Sequence, residues 1–191
     1  SSSSSSFASS ASSSSSTQSW KKAADPIGKH HAVIEVEGKG TIKVELGGDS
    51  APVSVQNFMD LAKSGFYNGL TFHRIIDGFM MQGGDPNGNG TGGSSNKIVG
   101  EFTKNGYDNQ LKNVRGAIAM ARSSAPDSAS SQFYIVQTDA PSLDGQYAVF
   151  GNVTEGMEIV DAICAAAKPT DNNGSIAKAD QPVIKSIAIV D

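Results

Sequence analysis

Short apolar runs closed by glycine or polar turns recur from His31 to Val190, and this punctuation restricts the chain to a fold built mainly of strands. His31 to Glu37 and Thr41 to Leu46 alternate apolar and polar residues around Gly38-Lys39-Gly40, the pattern of a hairpin with one wet face. Further strand-like runs are Thr71 to Ile76, Phe79 to Gln82, Gly116 to Ala121, Gln132 to Gln137, Ala148 to Val153 and Val183 to Val190. The period becomes helical in two places. Val55, Phe58, Met59 and Ala62 fall at i, i+3, i+4 and i+7, behind Pro52 and ahead of Gly65, and a second helix is expected over Glu158 to Ala166. Together these elements predict a mostly β fold, a closed eight-stranded antiparallel β-barrel capped by two α-helices, since closure leaves no sheet edge exposed.

The first residues do not belong to that pattern. Residues 1 to 19 hold fourteen Ser, two Ala and one each of Phe, Thr and Gln, with no charge and no period. Such a segment buries too little apolar surface to offset its ordering entropy, so residues 1–25 are expected to form a flexible tether and 26–191 a single domain. A Ser-rich spacer of this kind suits an extracytoplasmic protein, anchored by a lipid on residues upstream of Ser1; that location is the expectation, over a cytoplasmic one. No uncharged apolar run approaches the ~18 residues of a membrane span. The net charge of −4 and the scattered Lys and Arg argue against a nucleic-acid surface, which needs a basic stripe. The single Cys164 has no partner for an internal disulfide and reads as a small core hydrophobe.

Several familiar chemical motifs fail on context. Gly88-x-Gly90-x-x-Gly93 has the spacing of a dinucleotide fingerprint, but the segment after it, Ser94 to Gly100, is no helix, so no N-terminus is offered to a pyrophosphate. Ser-x-x-Lys occurs at Ser19, Ser94 and Ser175, as chance allows in a Ser-rich chain, without the companion motifs of acyl-serine enzymes. His30 and His31 are adjacent and face opposite ways on a strand, and His73 stands alone, so no metal set is formed. Neither a metal nor a cofactor is expected.

Arg74 is the exception. It lies in FHRIIDGFMMQGGD, Phe72 to Asp85, among large apolar residues where a guanidinium is costly unless it is used. Regular alternation puts Phe72, Arg74 and Ile76 on one face and His73 and Ile75 on the other. Taken alone, Arg74 suits equally well a structural ion pair with Asp77 or another carboxylate.

That stretch, with SQF at Ser131 to Phe133 and LDGQYAVFG at Leu143 to Gly151, resembles the signature of the cyclophilin family of peptidyl-prolyl cis-trans isomerases. The resemblance runs from about His31 to Val190, and MARSSAPDSASSQF, NGYDNQLKNVRG and SLDGQYAVFG are closer to its bacterial-type branch. It implies Arg74 as the catalytic residue, with Phe72, Phe79, Met80, Gln82, Gly90, Ala121, Arg122, Gln132, Tyr134, Leu143 and Tyr147 binding substrate. The physics agrees. A proline ring wants a dry pocket, which Phe79, Met80, Tyr134 and Leu143 supply, while Gln82 and Arg122 offer polar groups to a peptide backbone. The implied partners are proline-containing polypeptides, met by a monomer that assists folding. The rivals are a proline-peptide binding module without useful turnover and a surface interaction protein.

The chain also departs from the better-known family pattern. Tyr134 stands for the usual Phe, Tyr147 for His, Arg122 for Asn and Asp77 for Pro, and Ser142 stands where eukaryotic members carry Trp. Weak cyclosporin binding is therefore expected, with the Arg74 chemistry intact.

Overall fold

The computed structural model describes residues 27–88, 92–94, 97–107, 109, 111–122, 125, 127–172 and 174–190. The tether expected over 1–25 and the expected site residue Gly90 lie outside the described residues. The chain forms β1 (Lys29–Val36), β2 (Gly40–Gly47), α1 (Pro52–Lys63), β3 (Thr71–Ile76), β4 (Met80–Asp85), β5 (Ala117–Met120), β6 (Phe133–Val136), β7 (Val149–Glu155), α2 (Met157–Ala166) and β8 (Ile184–Ile189). All eight strands join one sheet in the order β3-β4-β6-β5-β7-β2-β1-β8, and every ladder is antiparallel.

The sheet curls, but it does not close into the expected barrel. Its outer strands β3 and β8 meet only at their beginnings, where Thr71 bridges Val183 and Ile184 N donates to Leu70 O at 2.7 Å. Further along, the outer edge of β3 is taken by a connecting segment instead. Ile75 N donates to Gly174 O at 2.8 Å and Ile176 N to His73 O at 2.9 Å. A loop satisfies backbone groups as well as a strand does, so the hydrogen bonds that a closing ladder would use are already made.

Alternation gives the curled sheet two buried faces. Met81, Ile118, Met120, Phe133, Ile135 and Phe150 turn into the main core, while their chain neighbours Met80, Ala117, Ala119, Tyr134, Val136 and Val149 form a second cluster on the other face. Helix α1 fills the main core with the expected stripe of Val55, Phe58, Met59 and Ala62. The Phe58 ring lies 5.2 Å from Phe150, 5.3 Å from Tyr67 and 5.5 Å from Phe133, centroid to centroid.

No side chain next to α1 in sequence caps its first turn. The free N–H groups go to a distant carboxylate: Val53 N and Ser54 N donate to Glu101 at 3.2 and 2.7 Å, and Ser54 Oγ donates at 2.9 Å. Burial pushes the Glu101 carboxyl up, against the pull of these donors. In α2, Val160, Ile163 and Cys164 are buried, and burial pushes the Cys164 thiol up to about 12, as befits an inert core residue. Among the described residues no helix is long and apolar enough to cross a membrane.

Candidate active site

The site begins with an irregularity in β3. Against β4, Phe72 pairs with Gly83 and Arg74 with Gln82, so His73 is one residue too many on its strand, a β-bulge. The bulge reverses the facing of the residues after it. Phe72 and Ile75 both enter the main core, whereas Arg74 turns to the second face with Ile76. The alternation read from the sequence fails here for that reason. Phe72, expected to bind substrate, is instead a fully buried core residue with its ring 6.0 Å from that of Phe133. His73, expected to point away from Arg74, lines the same cleft. Gly83 makes room for this pairing, since a Cβ there would come within 2.7 Å of Thr71 O, while a Cβ on Gly84 would meet Ser131 O at 2.6 Å.

A cleft of about 560 Å³ opens over the second face. Its apolar wall is Phe79, Met80, Tyr134, Leu143 and Tyr147, around a floor kept low by alanines such as Ala121. Strand register draws a row across it, with Arg74 opposite Gln82, Gln82 opposite Tyr134 and Tyr134 opposite Ala119. On the outer side of Arg74 the row is continued by Ser175, which bridges to it. Of the expected residues, Arg74, Phe79, Met80, Gln82, Ala121, Arg122, Tyr134, Leu143 and Tyr147 meet in this one cleft.

The polar groups are held in fixed directions. Arg74 Nη1 donates to Gln82 Oε1 at 3.3 Å, Gln82 Nε2 to Gln132 Oε1 at 2.9 Å, and Gln132 Nε2 to Gly92 O at 2.7 Å. Gln132 itself lines an adjoining hollow of about 270 Å³ with Gly92, Ser94 and Lys97. The Arg122 guanidinium lies between the rings of Phe102 and Tyr147, 4.8 and 4.9 Å from their centroids, and its Nε donates to Gln146 O at 2.9 Å. Tyr134 donates its hydroxyl to Asn113 Oδ1 at 2.5 Å, and Asn113 N donates to Asp144 Oδ1 at 2.7 Å. Burial pushes the Tyr134 phenol up, so it stays a neutral wall and donor at any physiological pH.

His73 is 5% exposed, and its Nδ1 is buried without a hydrogen-bond partner. Burial pulls the imidazole below its ordinary value, opposed by the Asp85 charge and helped by that of Arg74. Sequence reasoning missed the contributions of His73, Gly88, Ser175, Ile176 and Phe102. The one available signal was Gly83, which marks a close approach of β4 to Thr71 and Phe72, just before the bulge at His73. Ser175 and Ile176 come from the connection between α2 and β8, where no period pointed to them.

The arrangement can hold a small apolar ring in a dry pocket beside a fixed cation and an oriented line of amides. Among the described residues no group of three or more His, Cys, Asp or Glu is placed to hold a metal ion.

Comparison with known proteins matches residues 31–190 to the family model described as cyclophilin type peptidyl-prolyl cis-trans isomerase/CLD. The chain is 49% identical over 139 residues to peptidyl-prolyl cis-trans isomerase A of Dickeya dadantii, covering 69% of this chain and 70% of that one. It is 38% identical over 160 residues to peptidyl-prolyl cis-trans isomerase B of Escherichia coli, covering 78% and 94%. Among solved structures, a cyclophilin type peptidyl-prolyl cis-trans isomerase of Cryptosporidium parvum superposes with a TM-score of 0.75 at 32% identity, covering 85% of this chain and 98% of that one. A second structure of that protein, in the presence of the dipeptide Ala-Pro, gives a TM-score of 0.74 at 33% identity, covering 84% and 99%.

Proposed function

Because the chain belongs to the family of cyclophilin-type peptidyl-prolyl cis-trans isomerases, we propose that Arg74 and the dry wall beside it form the centre at which its X-Pro peptide bonds rotate. Amide resonance puts the barrier near ~20 kcal/mol, and unaided rotation takes tens to hundreds of seconds. Twisting the C–N bond removes the resonance and leaves a lone pair on a pyramidal prolyl nitrogen. Arg74 donates to that lone pair, which the planar ground state scarcely offers, so the interaction favours the twisted state and raises the rate.

One charge-assisted hydrogen bond contributes about 1.5 to 3 kcal/mol, roughly one to two powers of ten. An acceleration of ~10⁵ needs about 7 kcal/mol, so Arg74 is insufficient alone. The remainder comes from Phe79, Met80, Tyr134 and Leu143, which exclude water from the proline ring, and from polar groups such as the Gln82 amide and the Arg122 backbone that hold the turning carbonyl. The observation that carries this reading is the Arg74–Gln82 contact at 3.3 Å within the cleft that also holds the apolar wall. The Cryptosporidium parvum protein was crystallised in the presence of the dipeptide Ala-Pro, a molecule of the chemistry this reading expects of a substrate.

The test is an isomerisation assay on an X-Pro tetrapeptide. Arg74→Ala lowers kcat/KM at least about tenfold with the fold unchanged. Arg74→Lys is also poor, because a point charge does not reproduce the planar fork. A folded Arg74→Ala protein that turns over like the parent would sink the mechanism.

A further inference from the structure

Arg74 sits on an edge strand directly after a bulge, a position where the backbone is bent and its pairing interrupted. What steadies it from outside is the segment Gly174 to Ile176. The two hydrogen bonds of this strap fall on the residues either side of Arg74: Ile75 N donates to Gly174 O and Ile176 N to His73 O, with Ser175 bridging Arg74 between them. The approach is close enough that a Cβ on Gly174, at φ +84°, would lie 2.5 Å from Ile76 Cγ1. The strap is a connecting segment, so something must hold it in turn.

That role falls to Gln181, which is 7% exposed and uses both ends of its amide. Its Nε2 donates to Ile176 O and to Gly88 O, each at 2.9 Å, and its Oε1 accepts from Thr71 Oγ1. One side chain thus ties together the strap, the loop after β4 and the first residue of β3. Gly88, Ser175 and Ile176 all line the cleft, whereas Gln181 does not touch it.

We propose that Gln181 is a positioning residue for Arg74, acting through the Gly174–Ile176 strap. The inference rests on the catalytic role assigned to Arg74 above. Displacing a reacting group by about 1 Å costs up to ~10²-fold, so releasing the strap should be read in turnover rather than in binding.

The experiment is a double-mutant cycle of Gln181→Met and Arg74→Ala, measured with an X-Pro tetrapeptide and with circular dichroism and Tm as checks on folding. Methionine matches glutamine in length and makes none of the three hydrogen bonds. Gln181→Met is expected to lower kcat about tenfold with KM within about twofold, and to add no further loss once Arg74 is alanine. Thr71→Val, which removes only the hydroxyl donor to Gln181, gives the same signature more weakly and decides the matter if Gln181→Met does not fold. Equal losses with and without Arg74, or no loss in a folded variant, overturn the proposal. An unimpaired Arg74→Ala protein overturns the catalytic assignment itself, and is seen separately in the same cycle.

Discussion

At the scale of the residue, the local environment decides what each side chain can do. Ser142 is exposed on the short turn Pro141–Leu143 beside the cleft residue Leu143, and its carbonyl accepts from Gln146 Nε2 at 2.6 Å. A serine there has neither the apolar face nor the indole N–H of a tryptophan. Losing a buried aromatic contact commonly costs about 2 to 4 kcal/mol, or roughly 30- to 1,000-fold in affinity. Cyclosporin should accordingly inhibit weakly, with Ser142→Trp restoring part of the affinity in a parallel inhibition titration. His73 makes a prediction about pH. Its folded value lies below the ordinary 6.5, so below that pH the unfolded chain binds a proton that the folded one resists. Its contribution therefore lowers Tm as pH falls through and below 6.5, and His73→Gln flattens this slope. Glu101, whose carboxyl is pushed up, contributes the opposite sign above its ordinary 4.5, so the parent-minus-variant difference is the quantity to measure. A difference that does not change between pH 8 and pH 5 would show that His73 titrates in the fold as it does in the unfolded chain, and that burial does not hold it neutral.

At the scale of the element, the ends and irregularities of strands and helices matter more than their spans. Pro52 and the apolar stripe of α1 were legible, but its capping group is Glu101, 47 residues from Ser54. Glu101→Ala leaves the N–H groups of half-buried Val53 and buried Ser54 without their carboxylate, at an expected cost of about 2 kcal/mol in urea unfolding, with little change in activity per folded molecule. Strand β3 shows the same limit more sharply. Its bounds agree with the run read from the sequence, yet one inserted residue puts Phe72 and Arg74 on opposite faces. The pairing partner decides a bulge, and the partner strand is not visible from β3 alone.

At the scale of the whole molecule, the first nineteen residues, fourteen of them Ser and none charged, carry little apolar surface to bury against the domain. A chain beginning at Pro26 should therefore match the full chain in Tm and in kcat/KM within about twofold. A loss of several degrees in calorimetry would mean that the Ser-rich residues dock on the domain. The curled sheet also explains where the cleft lies. Its concave side is filled by α1 and the large aromatics, so the small alanines of β5 leave the hollow on the other face.

What the sequence determined by itself is whatever depends on neighbours along the chain. The eight strands and two helices follow from local period and punctuation, and FHRIIDGFMMQGGD with its companion motifs carried the family and most of the cleft. Only the tertiary structure decided the rest. The bulge at His73, the Glu101 cap, the Arg122 stack on Phe102 and Tyr147, and the strap that takes the edge where a barrel would have closed all join residues far apart in the chain. Their energies come from pairing and burial between segments, and local period carries no record of which segments will meet.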